Sequence, residues 1–145
     1  MQDWRWRLCG VAAALWWGSL SALFVMVPLL FAHLPSHALA GNTAAHLFSA
    51  QSWISAGCAV LLLALTRGAS RSAADGLQLL VILGLLLALL VEHAIAPRIV
   101  ARERLALWHT VGSLMLLAEW LCALAALWRL LGRRAEPAPR IEEDV

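Results

Sequence analysis

The sequence contains no lysine, and only 14% of its 145 residues are charged. All of its eleven basic residues are therefore arginines, and the formal net charge at pH 7 is +2. A chain this close to neutral, without a basic stripe, lacks the electrostatic surface that nucleic-acid binding requires. We expect no nucleic-acid partner.

Cysteine is also scarce. Cys9, Cys58 and Cys122 each lie within an apolar run and form no CxxC pair. An odd number of separated cysteines in apolar surroundings does not indicate a disulfide framework. We interpret the three as small packing residues.

Catalytic motifs are missing too. The sequence has no HExxH, no phosphate-binding loop, no nucleotide fingerprint and no paired nucleophile and base. Classical hydrolase and kinase chemistry is therefore not supported. The sequence favours a non-enzymatic protein over an enzyme.

Hydrophobic residues, in contrast, make up 62% of the chain, against about 45–50% in soluble domains. A transmembrane helix needs about 20 mostly apolar residues. Four segments meet that length: Leu8–Phe31, Leu47–Thr66, Leu77–Ala96 and Leu105–Leu131. No strand-like alternation competes with them. We predict an all-α membrane protein, with one four-transmembrane-helix bundle over residues 1–131 and a polar, disordered cytoplasmic tail over 132–145.

The distribution of arginine predicts the orientation of the spans. With the N-terminus inside, the cytoplasmic segments hold eight arginines and the outer loops hold three, Arg98, Arg102 and Arg104. Because an arginine excess marks the cytoplasmic side, we expect both termini in the cytoplasm (N-in and C-in). The protein is then a multi-pass component of the cell's inner (plasma) membrane, with the lipid bilayer as a partner.

Small residues recur along three of the spans and predict where helices approach closely. Such stripes also permit association with a second copy or with another membrane protein. Pro28 is expected to bend the first span, because proline removes a backbone hydrogen bond. The stripes are Ala14, Gly18 and Ala22 on the first span, Ser52, Ser55, Ala56 and Ala59 on the second, and Gly84 and Ala88 on the third.

Histidine is the commonest metal ligand, and the predicted orientation places every histidine on the outer side. His33 and His37 lie four residues apart and flank Pro35. The proline argues against a regular helix through both histidines. A metal site built from His33, His37 and His46 is therefore the weaker hypothesis. The five histidines are His33, His37, His46, His93 and His109.

His93 and His109 form the sharper pair. They flank one short loop, so their helices run antiparallel, and each lies roughly 6–8 Å inside its loop boundary. Two opposed imidazoles at matched depth suit an axially ligated haem b or part of a copper site, with Glu92 in support. The alternative is a polar helix end that reaches the headgroup region, where Glu92 pairs with Arg98 or Arg102.

Glu119 lies near the middle of the fourth span, where a carboxylate costs about 2.5–3.5 kcal/mol to insert. The ten leucines of that span offset the cost at about −0.3 to −0.6 kcal/mol each. A central carboxylate still needs a partner, which Ser52 or Ser55 can supply, whereas Gln78 is too shallow. Glu119 either holds helices together or lies on a transport path.

Three stretches resemble a known family. "LWWGSLSALFVMVPLLFAHLPSHALAG" (15–41) resembles the first span and loop of transmembrane-protein-205-like proteins, also called the domain of unknown function 4149. "IAPRI" (95–99) resembles the proline-plus-arginine outer loop of that family, and "LWHTVGSL" (107–114) resembles its last helix. The resemblance covers most of residues 10–130.

The resemblance implies a four-span helical membrane protein of largely undefined activity. It also implies a distant similarity to CopD-like copper-handling and haem-associated four-span proteins, with His109 as the residue that carries over. The asparagine that often follows the histidine in the family's last helix is missing here, and Glu92-His93 has no counterpart in the family pattern.

Three hypotheses follow from the sequence. The first is a small non-enzymatic membrane component with a role in stress or metal tolerance. The second is a haem- or copper-binding membrane protein that uses His93 and His109. The third is a small transporter with Glu119 or Glu92 on its path.

Overall fold

A computed structural model describes residues 3–67, 71–101 and 104–132. Within these ranges the regular structure is entirely helical. An α-helix, a π-helical turn and a short α-helix follow one another without a break in the middle of the chain. The elements are α1 (Asp3–His33), α2 (His37–Thr66), α3 (Arg71–Leu90), the π turn (Val91–Ile95), α4 (Ala96–Val100) and α5 (Leu105–Gly132).

Four helical segments are long and apolar enough to cross a membrane, which confirms the predicted all-helical class. The predicted tail, 132–145, lies outside the described residues except for Gly132, which ends α5. The four segments are Trp4–His33, His37–Thr66, Gly76–Ile99 and Ala106–Gly132.

The first connection differs most from its predicted bounds. We expected an outer loop between Phe31 and Leu47, but only residues 34–36 separate α1 from α2. Ser36 caps α2, because its hydroxyl accepts the backbone N–H of Leu39 at 3.2 Å. Residues 37–46 are too polar to be predicted as part of a transmembrane span, yet the alanines among them are strong helix formers. The second helix therefore begins about three turns earlier than hydropathy predicts.

The long helices run antiparallel in sequence order. α1 and α3 each pack against α2 and α5. At the start of α1, Arg5 donates through Nη2 to the backbone carbonyl of Leu65, near the end of α2, at 2.7 Å. At the start of α3, Gly76 lies against Arg129, near the end of α5. The start of α1 and the end of α5 thus share one end of the bundle, and we call the opposite end, which carries α4, the distal end.

The core is narrow and apolar, and the outside is apolar as well. Trp16, Leu20 and Leu62 are fully buried between the helices, whereas Trp53 is 65% exposed and Trp128 is 75% exposed. Helices with apolar residues on all sides suit contact with lipid.

The small-residue stripes fall on two different surfaces. On α2 and α3 they face the interior, and Gly84 is buried. On α1 the stripe faces outward, because Ala14 and Ala22 are exposed and a Cβ atom at Gly18 would meet no atom within 4 Å. We expected Gly18 to pack within the bundle; α1 instead turns Trp16 inward together with Ala12 and Ala13, and the stripe that contains Gly18 lies on the other side of the helix.

Pro28 lies on the exposed side of α1, and the helix continues through it to His33. The outward side has room for the proline ring, which would clash with neighbouring helices in the core. The bend expected at Pro28 stays a prediction.

Candidate functional site: a buried polar network

Among the residues whose side chains the structure describes, Glu119 is the only aspartate, glutamate, arginine or histidine that is buried, and it is 1% exposed. Nε1 of Trp16 donates a hydrogen bond to Oε1 of Glu119 at 3.2 Å. The Ser55 hydroxyl also hydrogen-bonds to this carboxyl group. One side chain of α5 is thereby tied to both α1 and α2.

Gln51 extends the network along α2. Its Nε2 atom donates to Oγ of Ser55 at 3.2 Å and to Oγ of Ser19 at 3.0 Å. Ser19 in turn donates to the backbone carbonyl of Trp16 at 3.0 Å. We refer to Trp16, Ser19, Gln51, Ser55 and Glu119 as the core network. Each of its members is hydrogen-bonded to another member, as buried polar groups in an apolar interior require.

Sequence reasoning identified part of the core network. Ser55 is one of the two serines expected to reach Glu119, and Gln78, judged too shallow, instead donates to Thr66 at 3.5 Å. Trp16 was missed as a partner. Position along the helix could have identified it. Trp16 and Glu119 each lie near the middle of their helices, so the indole N–H is at the right depth to donate to the carboxyl group.

Gly84 makes room for the core network. A Cβ atom at this position on α3 would collide with the indole ring of Trp16 and would lie 3.6 Å from Cβ of Cys122. The absence of a side chain lets the indole lie against the α3 backbone, with its N–H directed to Glu119. Gly84 therefore holds the donor in place although it has no polar side chain of its own.

A second polar contact lies beside the core network, between α1 and α5. Nε1 of Trp120 donates to Oγ of Ser21 at 2.9 Å, and the ring centroids of Trp17 and Trp120 are 6.0 Å apart. Nε1 of Trp17 is buried without a hydrogen-bond partner among the described residues. This contact orients two tryptophan side chains between α1 and α5, and it contains no titratable group.

At the distal end, Glu92 and His93 lie in the π turn. The backbone N–H of Ala96 bonds to the carbonyl of Val91, five residues back instead of four. Pro97 has no N–H, so the carbonyl of His93 lacks its ordinary α-helical partner. The wide turn accommodates this loss, and the helix continues into α4, beyond the predicted end of the span at Ala96. Such turns are frequent at functional sites.

Glu92 is paired differently from our prediction. Oγ of Ser49, on α2, donates to Oε1 of Glu92 at 2.6 Å. The guanidinium of Arg98 instead lies over the ring of Trp108, 4.3 Å from its centroid. The expected pairing of Glu92 with Arg98 is therefore replaced by two separate contacts, and Arg102 lies outside the described residues.

The structure places both His93 and His109 on the exposed surface of the helices. The side chains described here form no group of three histidine, cysteine, aspartate or glutamate residues that could hold a metal ion. The geometry gives the haem or copper hypothesis no support, and it stays a prediction.

The other histidines are separated from one another. Nδ1 of His33 lies 3.0 Å from the backbone carbonyl of Leu29, and the ring of His37 packs against Phe31 at 6.1 Å between centroids. His46 is exposed on α2, and its separation from His37 puts the two on opposite sides of the helix at about 3.6 residues per turn. A shared metal site for these three residues likewise stays a prediction.

Comparison with known proteins gives one match. No curated protein and no solved structure matches the chain. The sequence model of one family, described as a domain of unknown function (DUF4149), matches residues 11–107. That segment includes most of α1 and all of α2 to α4, with Trp16, Ser55 and Gly84, and it ends before Glu119. The match spans well over half of the 145 residues, and the chain therefore belongs to the DUF4149 family.

Proposed function

We propose that the protein is a non-enzymatic integral membrane component of the cell's inner membrane, with both termini in the cytoplasm. One observation carries this proposal: the buried carboxyl group of Glu119 is engaged by donors from two neighbouring helices. A polar group used in this way holds the helices in one arrangement, which is a common use of buried polar side chains in membranes.

The shape of the core supports a structural role. The indole of Trp16 fills the space that Gly84 leaves open beside the carboxyl group, so the donor and its acceptor are also held by packing. Catalytic and transport sites, in contrast, need an accessible place for a reacting or moving group. The role in stress or metal tolerance, and the kinship with transmembrane-protein-205-like and CopD-like proteins, belong to the proposal and are supported by the sequence resemblance alone.

A second candidate function is proton transport, and the hydroxyl groups of α2 favour it. Ser49 bonds to Glu92 near the distal end, and Ser55 bonds to Glu119 in the core. Ser52 lies between them on the same helix and is buried. In this alternative Glu119 binds a proton that arrives from the distal end.

Proton flux in vesicles tests the two candidates against each other. The full chain is reconstituted in phospholipid vesicles that contain a pH-sensitive dye, and an imposed potassium gradient drives proton movement. We expect the wild type and Glu119→Gln to match protein-free vesicles. Flux above that background that disappears in Glu119→Gln but persists in Trp53→Ala, a change at a side chain that is 65% exposed, would replace the structural proposal with the transport one.

Orientation requires a separate measurement. Reporter fusions at residue 1 and residue 145, with one reporter active only outside the membrane and one active only inside, report the location of each terminus. The proposal expects cytoplasmic activity at both termini. External activity at either one would overturn the assigned orientation.

A further inference from the structure

An open pocket of about 460 Å³ lies at the distal end, where α4 and the start of α5 meet. Its lining residues are Arg98, Arg104, Leu107 and Trp108. The volume is within the range of about 300–1,000 Å³ that small-molecule pockets have. Two guanidinium groups beside two apolar side chains suit a ligand that has an anionic group at one end and an apolar part at the other.

The contact between Arg98 and Trp108 prepares one of the two cations. The guanidinium lies over the indole, 4.3 Å from the ring centroid. Stacking uses the flat face of the guanidinium and leaves its N–H donors, which lie in the plane, free to bond at its edge. The orientation of the donors is thus fixed before a ligand arrives, and a planar fork of donors suits the oxygens of a phosphate.

The second cation lies on an unusual backbone. Arg104 has φ of 38°, and it is the only described non-glycine residue with positive φ. It immediately precedes α5, and its side chain is exposed. A non-glycine residue in the left-handed region is uncommon, and such residues cluster at ligand-binding and active sites. This conformation places a cation on the pocket that also contains Arg98.

Glu92, the acidic residue of the π turn, does not pair with Arg98 or Arg104. Glu92 is directed to Ser49 on α2, at 2.6 Å, and no ion pair joins Arg98 or Arg104 to an acidic residue in the part of the chain that the structure describes. In the proposed orientation these arginines lie on the outer side, which is the side that the distribution of arginine in membrane proteins disfavours. A local anionic partner accounts for their presence there.

We infer that this pocket binds the headgroup phosphate of a membrane phospholipid. The two guanidinium groups bond to the phosphate oxygens, while Leu107 and Trp108 contact the glycerol and the first acyl carbons. Tryptophan is enriched at this depth of a bilayer for the same amphipathic reason. The inference rests on the proposed insertion in a membrane, and it adds a ligand class that the proposed function does not include.

The test uses the full chain purified in a maltoside detergent, which has no phosphate group. Three probes are titrated and followed by calorimetry: dioctanoyl phosphatidylglycerol, dioctanoylglycerol and inorganic phosphate. We expect saturable binding of the phospholipid alone. The double variant Arg98→Gln/Arg104→Gln should weaken it by about tenfold or more, because charge-assisted hydrogen bonds are lost. The control Arg7→Gln removes an exposed arginine of α1 and should change binding by less than about twofold.

Each other outcome overturns the inference. Equal phospholipid binding by the wild type, the double variant and Arg7→Gln would mean that the phospholipid adheres to the apolar surface. Dioctanoylglycerol that binds as tightly as the phospholipid would lead to the same conclusion. Inorganic phosphate that binds as tightly as the phospholipid would identify a site for a free anion. Insertion is followed separately by flotation of each protein with phosphatidylcholine vesicles, so a failure to enter the bilayer is distinguished from a failure of the pocket. Circular dichroism shows whether the double variant keeps its helices.

Discussion

The centre of the bundle and its distal end use polar residues in opposite ways. In the centre, Glu119 is 1% exposed and its carboxyl group is bonded to side chains of two other helices. At the distal end, Glu92 is partly exposed with one such partner, and Arg98 stacks on an indole with its donors free. Because the hydrocarbon core offers no water, polar groups there must bond to one another, whereas groups at the ends remain available to solvent, headgroups or ligands.

Burial and hydrogen-bond partners, more than position along a span, separate the polar residues of the two regions. A carboxylate in the middle of a span suggests a function because its insertion in the hydrocarbon core is costly. In this protein, hydrogen-bond partners on neighbouring helices offset that cost. The residues at the distal end look ordinary in the sequence, yet they combine a π turn, a positive φ and an open pocket. We therefore propose a structural role for the core network and expect ligands at the distal end.

The largest expected effect comes from removing the indole at the centre. Trp16→Ala leaves a cavity and removes a hydrogen bond of Glu119, so we expect the free energy of unfolding to fall by about 3–5 kcal/mol. Trp53→Ala is the matched control: this residue is 65% exposed and contacts lipid in both states, so a change below about 0.5 kcal/mol is expected. Denaturation with dodecyl sulfate in mixed micelles measures both values. Similar losses would contradict the assigned core.

A smaller loss is expected where a single methyl group enters the centre. Gly84→Ala pushes the indole of Trp16 away from Glu119 and should destabilise the fold by about 1–3 kcal/mol. Gly18→Ala adds the same methyl group in open space and gains the same helix propensity, so it should be neutral or slightly stabilising. The same unfolding assay compares the two variants. If Gly18→Ala were the more harmful, the outward side of α1 would be an interface.

Two serines allow a direct comparison of the two regions. Ser55→Ala removes a donor of Glu119 and an acceptor of Gln51, both buried, and should cost about 1–2 kcal/mol of unfolding free energy. Ser49→Ala removes the partner of the partly exposed Glu92, which water can replace, and should cost about 0.5 kcal/mol or less. Equal costs in bicelles would show that the distal end is as dry as the centre.

The smallest effect is expected at the exposed histidines. The absorption spectrum and metal content of the purified protein should show no Soret band and no stoichiometric copper, before or after both are offered. His109→Ala should leave both measurements unchanged. A Soret band or bound copper that disappears in His109→Ala but survives in His46→Ala would instead establish the cofactor hypothesis and make the distal end a redox site.

The length of the apolar runs predicted the four spans, because crossing hydrocarbon sets a minimum number of apolar residues whatever the packing. It did not predict the early start of α2, since helix formation there depends on alanine and on the Ser36 cap instead of hydropathy. The π turn was also hidden: Pro97 is visible in the sequence, but how the helix accommodates it depends on the neighbouring helices.

Helix rotation limited the prediction of the site. Gly18 and Gly84 both lie in stripes of small residues, yet only Gly84 of the two faces a neighbour closely, because α1 turns Trp16, Ala12 and Ala13 toward the core and the stripe that contains Gly18 away from it. Ser55 was found as a partner of Glu119 from depth along the helix, whereas the contribution of Trp16 required its rotation as well. Helix rotation is set by packing against the neighbouring helices, which spacing in one sequence does not encode.

Trp16 and Glu119 are expected to stabilise the fold through each other. A double-mutant cycle tests it with Trp16→Phe, which keeps a smaller aromatic ring and removes the N–H donor, and Glu119→Leu, which keeps a similar volume and removes the acceptor. We expect the two substitutions to be non-additive, with a coupling free energy of about 0.6–1.7 kcal/mol in bicelles, the range for hydrogen bonds between transmembrane helices. Strict additivity of the two losses would contradict the claim.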